Sequence, residues 1–353
     1  MENIAGRLTY AAAQTARVAF YGAHYLAARF IARDTFARIE KPAHAMPSLA
    51  SMLNSMRVLF AQDWRNVEAG LYPMPLDLAR EIRRASASLR FLTDVPRVAA
   101  RQKRRGQSDL DAGAEVLPRY YRQNFHFQTD GYLSDESARL YDFQVEALFG
   151  GTADAMRRRA YVPIAHFLQS RDPRKSTLLD IGCGTGRFLR FVKSVQPELK
   201  TIAVDLSEPY LDRARKTLRR QRGVQFLAAP AENMPLRDAS IDAAVSIYLF
   251  HELPPKIRVE VAREIGRVLK PGGIFVLAES IQYGDVPAFD GLIEVFPALM
   301  HEPYYASYAK TGLDPLFARA GLLRDGSDIA YMTKIATFRK PPRRRAATGP
   351  RKK

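Results

Sequence analysis

The sequence predicts an α/β fold, a mostly parallel sheet with helices on both faces, preceded by a mainly helical N-terminal region. Two observations carry that expectation. From Ser176 onward, short β-branched runs alternate with segments of helix length, the signature of strands joined by crossover helices. Before that, the first third is rich in Ala and Arg and shows helical periodicity. With 353 residues the chain also exceeds one average domain. We divide it into a helical, basic accessory region (1–122), an aromatic-rich connecting or lid segment (123–170), an alternating α/β domain (171–340) and a basic tail (341–353).

The first helix is expected over Asn3 to Arg33. Asn3, Arg7, Gln14, Arg17 and His24 share one face, and Ile4, Leu8, Ala11, Val18, Tyr25 and Leu26 the other. The apolar face is expected to pack on a core, or alternatively to lie in a membrane interface with the basic face toward lipid headgroups. The connecting segment carries Tyr120, Tyr121, Phe125, Phe127, Tyr132 and Tyr141. Asp130-Gly131 marks a turn, and Ser134 before Asp135 and Glu136 reads as a helix cap. So many large rings suit either an interdomain core or a lid over a ligand. The strand runs are STLLDI, TIAVD, VQFLA, IDAAVSIYLF and IFVLAES, the last entered through the turn Pro271-Gly272-Gly273.

Composition narrows the chemistry. An apolar fraction of 47% is ample for a core. A lone cysteine, Cys183, excludes an internal disulfide framework and a cysteine-type zinc site, and fits a reducing, cytoplasmic setting. No run reaches the roughly 20 apolar residues needed to cross a bilayer. The net charge of +17 predicts attraction to polyanions. It concentrates around Arg80, Arg83, Arg84, Arg90, Arg97, Arg101, Lys103, Arg104 and Arg105, and at the chain end from Arg339 through Arg343, Arg344, Arg345, Arg351, Lys352 and Lys353, in a tail that its composition marks as disordered.

The motif with the most chemical content is LLDIGCGTGRF, Leu178 to Phe188. An apolar strand ends in Asp180-Ile181, and Gly182, Gly184 and Gly186 follow at alternate positions before a helix. Glycines there let a ligand approach the main chain, and the helix start offers free amides. The NTPase phosphate loop is excluded because its Gly-Lys-Ser/Thr is absent. The dinucleotide fingerprint is excluded because Arg187 stands at its third glycine. Asp205 closes the second strand about 20 residues on, where an acid meets a ribose in nucleotide folds.

This Gly-x-Gly-x-Gly string after an acid resembles motif I of class I S-adenosylmethionine-dependent methyltransferases, and the resemblance runs from Leu178 to Phe338. It is nearest the broad group that includes the ubiquinone and menaquinone C-methyltransferases. It implies a Rossmann-like seven-stranded, mostly parallel sheet and S-adenosyl-L-methionine as cofactor. The implied cofactor residues are Asp180, Gly182, Gly184, Gly186, Asp205, Leu206, Ala231, Glu232 and Met234. The segment AAPAENMPLRD resembles the family's adenine-placing stretch, with Ala231, Glu232 and Pro235 matching. Pro230 replaces the usual side-chain hydrogen-bonding residue, leaving the Ala231 amide for a ring nitrogen and Met234 to pack on the ring. The fourth strand ends Ser246-Ile247-Tyr248-Leu249, which disfavours the amino-group methylases that carry Asn/Asp-Pro-Pro-Tyr/Phe there.

His251 and His301 are the candidate bases, needed if the acceptor is weakly nucleophilic. Glu252 is read as a cap on the following helix. The resemblance implies that the stretch after the fifth strand forms the acceptor pocket, where Phe289, Phe296, His301, Tyr304, Tyr305 and Tyr308 would make a largely aromatic wall; a core-helix stripe explains Phe289, Ile293 and Phe296 equally well. A small-molecule or lipid acceptor, aromatic or greasy and met in peripheral contact with an anionic membrane, is therefore expected ahead of nucleic acid. The alternatives are an RNA-modifying enzyme using the basic N-terminal region and tail, and a non-catalytic scaffold that kept the fold.

Overall fold

The computed structural model describes residues 4–33, 40–76, 85–103 and 117–342. Arg80, Arg83, Arg84, Arg104, Arg105 and the tail cations from Arg343 onward lie outside the described residues. Among the described residues, the first helices are α1 (Ile4–Ile31), α2 (Leu49–Glu68) and α3 (Ala85–Lys103). Then come α4 (Asp135–Leu148) and α5 (Ala153–Leu168). Ser134 caps α4 as its sequence predicts, accepting a hydrogen bond from the Ser137 amide, with Asp135 and Glu136 in the first turn.

The α/β part runs β1 (Thr177–Ile181), α6 (Arg187–Val195), β2 (Lys200–Asp205), α7 (Glu208–Leu218), β3 (Val224–Ala228) and β4 (Ile241–Ile247). It continues with α8 (Pro255–Val268), β5 (Leu269–Ser280), α9 (Asp290–Met300), α10 (Tyr305–Tyr308), α11 (Leu313–Ala318), β6 (Leu323–Ala330) and β7 (Thr333–Arg339). The seven strands form one sheet ordered β3-β2-β1-β4-β5-β7-β6. All neighbours are parallel except β7, which is antiparallel to both β5 and β6. This is the Rossmann-like, mostly parallel sheet that the sequence implies. Pro271-Gly272-Gly273 does not separate helix from strand. It is a bulge inside β5, with Leu269 opposite Ile241 and Ile274 already opposite Ala243.

Successive strand residues point to opposite faces, so each strand feeds two cores. Leu178, Val245 and Val276 join Met156, Tyr161 and Ile164 of α5 on one face. Leu179, Ile181, Ala244, Phe275 and Leu277 join Val261 and Ile265 of α8 and Phe317 of α11 on the other. Although α5 precedes residue 171, the sheet needs it: Met156, Tyr161 and Ile164 are fully buried there.

The first helix reverses its expected orientation. Its polar face is the buried one, through Tyr10, Gln14, Arg17 and Tyr21, while Ile4, Leu8 and Leu26 are about two-thirds exposed (65%, 65% and 66%). The cause is electrostatic. Arg17 reaches Glu146 of α4 at 2.8 Å and Asp154 of α5 at 3.1 Å, and its Nε–H donates to the Gly151 carbonyl at 2.9 Å. A second buried knot joins α2 to α5, where Arg158 donates twice to Asp63, at 2.9 and 2.6 Å. Tyr10 and Tyr72 donate to the same carboxylate. Breaking such a fully buried pair by removing one partner costs about 3–5 kcal/mol, comparable with what burying two or three exposed apolar side chains would recover.

Candidate active site

The glycine loop lies at the carboxyl end of β1, where open α/β sheets bind ligands. Gly182, Gly184 and Gly186 have φ of +72°, +53° and +73°, a region that penalises any Cβ. At Gly186, which caps α6, a Cβ would also meet the Leu218 side chain at 3.0 Å and Ala214 at 3.1 Å. That glycine thus serves close packing of α6 on α7, while Gly182 and Gly184 line a cavity.

The cavity is bounded by Gly182, Gly184, Asp205, Leu206, Ala231 and Leu249 on the sheet side, with Tyr120, Tyr121, Phe125, Tyr132 and Tyr141 opposite. The aromatic segment is therefore placed over this cavity. Tyr132 donates to Glu252 at 2.5 Å and its carbonyl accepts from Ser207 at 2.5 Å, while Tyr120 donates to Glu232 at 2.7 Å. Glu232 thus anchors the aromatic cover. Met234 does not line the cavity. It is buried in the core against the α8 face, and its amide donates to Glu264 at 2.8 Å.

Asp205 does more than close a strand. Its two oxygens accept from the Gly184 amide at 2.8 Å and the Ser207 amide at 2.9 Å, so it fixes the loop to the second strand. Burial nonetheless pushes its carboxyl up to about 6. Asp180 is 2% exposed and its Oδ2 has no hydrogen-bond partner. Burial, then the neighbouring Asp205 charge, pushes its carboxyl up to about 8. Two acids under a bare glycine turn, one with an unsatisfied oxygen, form a site in want of a cation. S-adenosylmethionine fits this demand: it carries an ammonium and a sulfonium, its carboxylate suits the amides of the loop, and its ribose suits Asp205.

A second cavity of about 60 Å³ adjoins the first. Tyr141, Tyr248 and Glu252 line both. Its other walls are mostly apolar, among them Val145, Phe149, Phe289, Ile293, Phe296 and Tyr305, with His126, His251 and Ser280 as polar groups. Phe289, Phe296 and Tyr305 of the expected acceptor wall are thus present. Tyr304 and Tyr308 pack outside it, and Tyr308 is fully buried.

Beneath this cavity two histidines meet three glutamates. His251 Nδ1 lies 2.7 Å from Glu279, which is fully buried and also accepts from the Phe250 amide at 2.5 Å. Burial opposes a charge on His251, but Glu279 foremost, with Glu302 and Glu252, lifts it to about 9. At about 9 it would carry its proton at neutral pH and act as a hydrogen-bond donor. His126 presents its Nε2 to Glu252 at 3.6 Å and its Nδ1 to Glu302 at 3.2 Å. Glu302 is 1% exposed, neither of its oxygens has a hydrogen bond, and burial pushes its carboxyl up to about 7 against the pull of His126. His126, Glu252 and Glu302 each offer an atom within 4.8 Å of the others, which is short enough for a metal. The imidazole faces its two carboxylates through different nitrogens, however, which is the arrangement of a bridging imidazolium.

His301 stands apart from both cavities. It ends α9 in a left-handed conformation, half-buried against the Phe127 ring. Glu252 does not cap α8, which starts at Pro255 behind Pro254; its carboxylate is instead shared by Tyr132, His126 and the two cavities. His126 escaped sequence reasoning altogether. The only signal was its place in the aromatic-dense FHF, where it adopts φ +56°.

Residues 178–273 match the family model described as "Methyltransferase domain". The human protein named "Probable tRNA methyltransferase 9B" is 32% identical over 145 residues, covering 40% of this chain and 30% of that protein. The Arabidopsis thaliana tRNA (carboxymethyluridine(34)-5-O)-methyltransferase is 30% identical over 222 residues, covering 62% of this chain and 48% of that protein. The chain therefore spans half or less of the length of these relatives. Among solved structures, the Burkholderia thailandensis 1,6-didemethyltoxoflavin-N1-methyltransferase is 22% identical, covering 58% of this chain and 88% of that one, with a TM-score of 0.41. Ranking nucleic acid behind small molecules and lipids is overturned here. Several curated relatives carry tRNA methyltransferase names, and an aromatic wall suits a flat nucleobase as well as a greasy small molecule. The glycine loop on β1, the acids of β1 and β2, and the family match together give this chain a class I S-adenosylmethionine-dependent methyltransferase domain.

Proposed function

We propose that this chain transfers the methyl group of S-adenosylmethionine to a nucleoside of RNA. The transfer reading rests on one observation: the loop cavity and the smaller cavity share the wall formed by Tyr141, Tyr248 and Glu252. Two ligands held on either side of that wall would meet end to end. The RNA reading is supported by the relatives, among them the Arabidopsis protein, which matches over 222 residues.

When bound, the cofactor supplies a methyl group on an already positive leaving sulfur. The protein's own contribution is then orientation and exclusion of water, which together are worth roughly 7–11 kcal/mol in well-positioned reactions. Gly182, Gly184, Asp180 and Asp205 would hold the cofactor, and the tyrosines of the 120–141 segment would keep water out. The cavity of about 60 Å³ is small beside ordinary ligand pockets, which run to roughly 300–1,000 Å³. It therefore receives a substituent or one edge of a base, not a whole nucleoside. His251, kept protonated by Glu279, donates a hydrogen bond to an acceptor oxygen or nitrogen. Glu252 takes the acceptor's proton, and His126 and Glu302 lie behind it to share the charge.

The test is incubation of the protein with methyl-labelled cofactor and total RNA, then digestion to nucleosides and separation. Label in one nucleoside is expected. Label found only in a small-molecule fraction, with RNA unlabelled, would refute the acceptor assignment. A Glu252→Gln variant should lose at least about tenfold in kcat while its cofactor affinity stays near that of the parent. Unchanged kcat at saturating RNA would remove Glu252 from the reaction.

A further inference from the structure

The strongest concentration of described positive charge is neither in the N-terminal helices nor near the tail. It lines a groove of about 630 Å³ between α6 and α7, beginning at Arg187 directly after the glycine loop. The groove carries two kinds of cation. Arg157, Arg158 and Arg187 are structural, held by Asp154, Glu146 and Asp63. Arg190, Arg213, Lys216, Arg219 and Arg220 have no acidic partner among the described residues. The two acids of the lining, Asp142 and Asp154, are engaged: Asp142 accepts from Thr185 at 2.7 Å, and Asp154 is held by Arg17, Arg157 and Arg187. Like charges on neighbouring helices repel one another, so this cluster costs stability unless a polyanion lies along it.

We infer that this groove binds the phosphate backbone of the RNA whose nucleoside enters the site; the inference rests on the RNA reading above. Four of the free cations are arginines, whose forked donors match phosphate oxygens two at a time. The groove is concave, and among the described residues the exposed large apolar side chains belong to residues 4–89 and to Leu323, with none on α6 or α7. A surface for lipid headgroups would instead combine its cations with apolar side chains that insert. Since α6 starts at the loop and α7 runs alongside it, a strand in the groove is tethered beside the cofactor cavity without entering it. Base identity is not read here, because phosphate contacts position a nucleic acid and do not specify its sequence.

The experiment uses the full chain and fluorescently labelled total tRNA, with binding followed by anisotropy across a potassium chloride series. A double variant Arg219→Glu/Arg220→Glu is compared with the parent, and S-adenosylhomocysteine calorimetry on both checks that the fold and cofactor cavity are intact. The parent's log affinity should fall with log salt at a slope of about −3, from four or five phosphate contacts at roughly −0.7 each. The double variant should bind at least about tenfold more weakly at 100 mM salt, with a slope shallower by about 1.4. A milder Arg213→Gln/Lys216→Gln variant should move both readouts in the same direction. If the parent labels RNA in the methylation assay and both variants bind and label it equally well, the groove assignment falls and the RNA reading survives. If groove-dependent binding is seen but no RNA is labelled, the groove stands and the acceptor reading falls. If the parent binds no RNA, the groove assignment is overturned.

Discussion

If Asp180 holds the cofactor's positive end as proposed, cofactor affinity should depend on pH in the neutral range, where an ordinary aspartate would leave it flat. Its carboxyl is 2% exposed, one oxygen is unpartnered, and burial with the Asp205 charge raises it to about 8. A bound cation beside it requires the carboxylate, so binding must remove a proton whenever the free protein carries one. With a pKa of about 8, roughly 3% of the protein is ionised there at pH 6.5 and about 24% at pH 7.5. Affinity for S-adenosylhomocysteine should therefore rise about eightfold over that one unit, about 1 kcal/mol of binding free energy. The sign for folding is opposite. A carboxyl raised in the folded state costs stability progressively as pH climbs from about 4 toward 8, and the ligand offsets that cost. The thermal shift produced by ligand should thus grow with pH. Calorimetry of the parent and of Asp180→Asn at pH 6.5, 7.0 and 7.5 isolates the effect, because any titration of the ligand itself is common to both. An affinity equally flat in parent and variant would refute the reasoning.

Other consequences follow from the same geometry. Gly186→Ala forces a Cβ at φ +73° to within about 3.0 Å of Leu218; about 1–2 kcal/mol of backbone strain alone should lower the urea midpoint, and cofactor affinity should fall with it. Asp63→Asn leaves Arg158 buried without its carboxylate and should cost about 3–5 kcal/mol in chemical denaturation, whereas replacing an exposed residue such as Leu8 should change little. His251, raised to about 9 in the folded protein, contributes stability that is complete below pH 6.5 and is lost as pH rises to 9. The stability difference between parent and His251→Gln should shrink by up to about 3 kcal/mol across that window. With cofactor saturating at every pH, turnover should hold through neutrality and decline as pH passes 9; a saturated rate that rises through pH 6–7, as a neutral histidine base would require, contradicts the donor role.

What was legible in the sequence is what depends on neighbours along the chain. Strand and helix alternation, the turn glycines before α6, the Ser134 cap and the acids ending β1 and β2 are set by local sterics and by periodicity, which any window of ten residues displays. The cofactor cavity was readable for that reason, since Gly182, Gly184, Asp205 and Leu206 all come from two strand-to-helix turns. The assignment of Met234 to the adenine ring was not, because whether a side chain faces a cavity or the core depends on which helix packs beneath it; here Glu264 of α8 pulls its amide inward.

The remaining features were decided in three dimensions, where electrostatic pairing overrode pattern. Amphipathicity along α1 gave the wrong buried face, because partners 129 and 137 residues away, Glu146 and Asp154, hold Arg17 inside. The roles of His251 and Glu252 depended on Glu279, His126 and Tyr132, none of them adjacent in sequence. Net charge was visible as a total, but which cations were free could be known only once each acid had chosen its arginine. Local sterics thus determined the sheet and its ligand loop, and long-range ion pairing in a low-dielectric interior determined which charged groups were left to act.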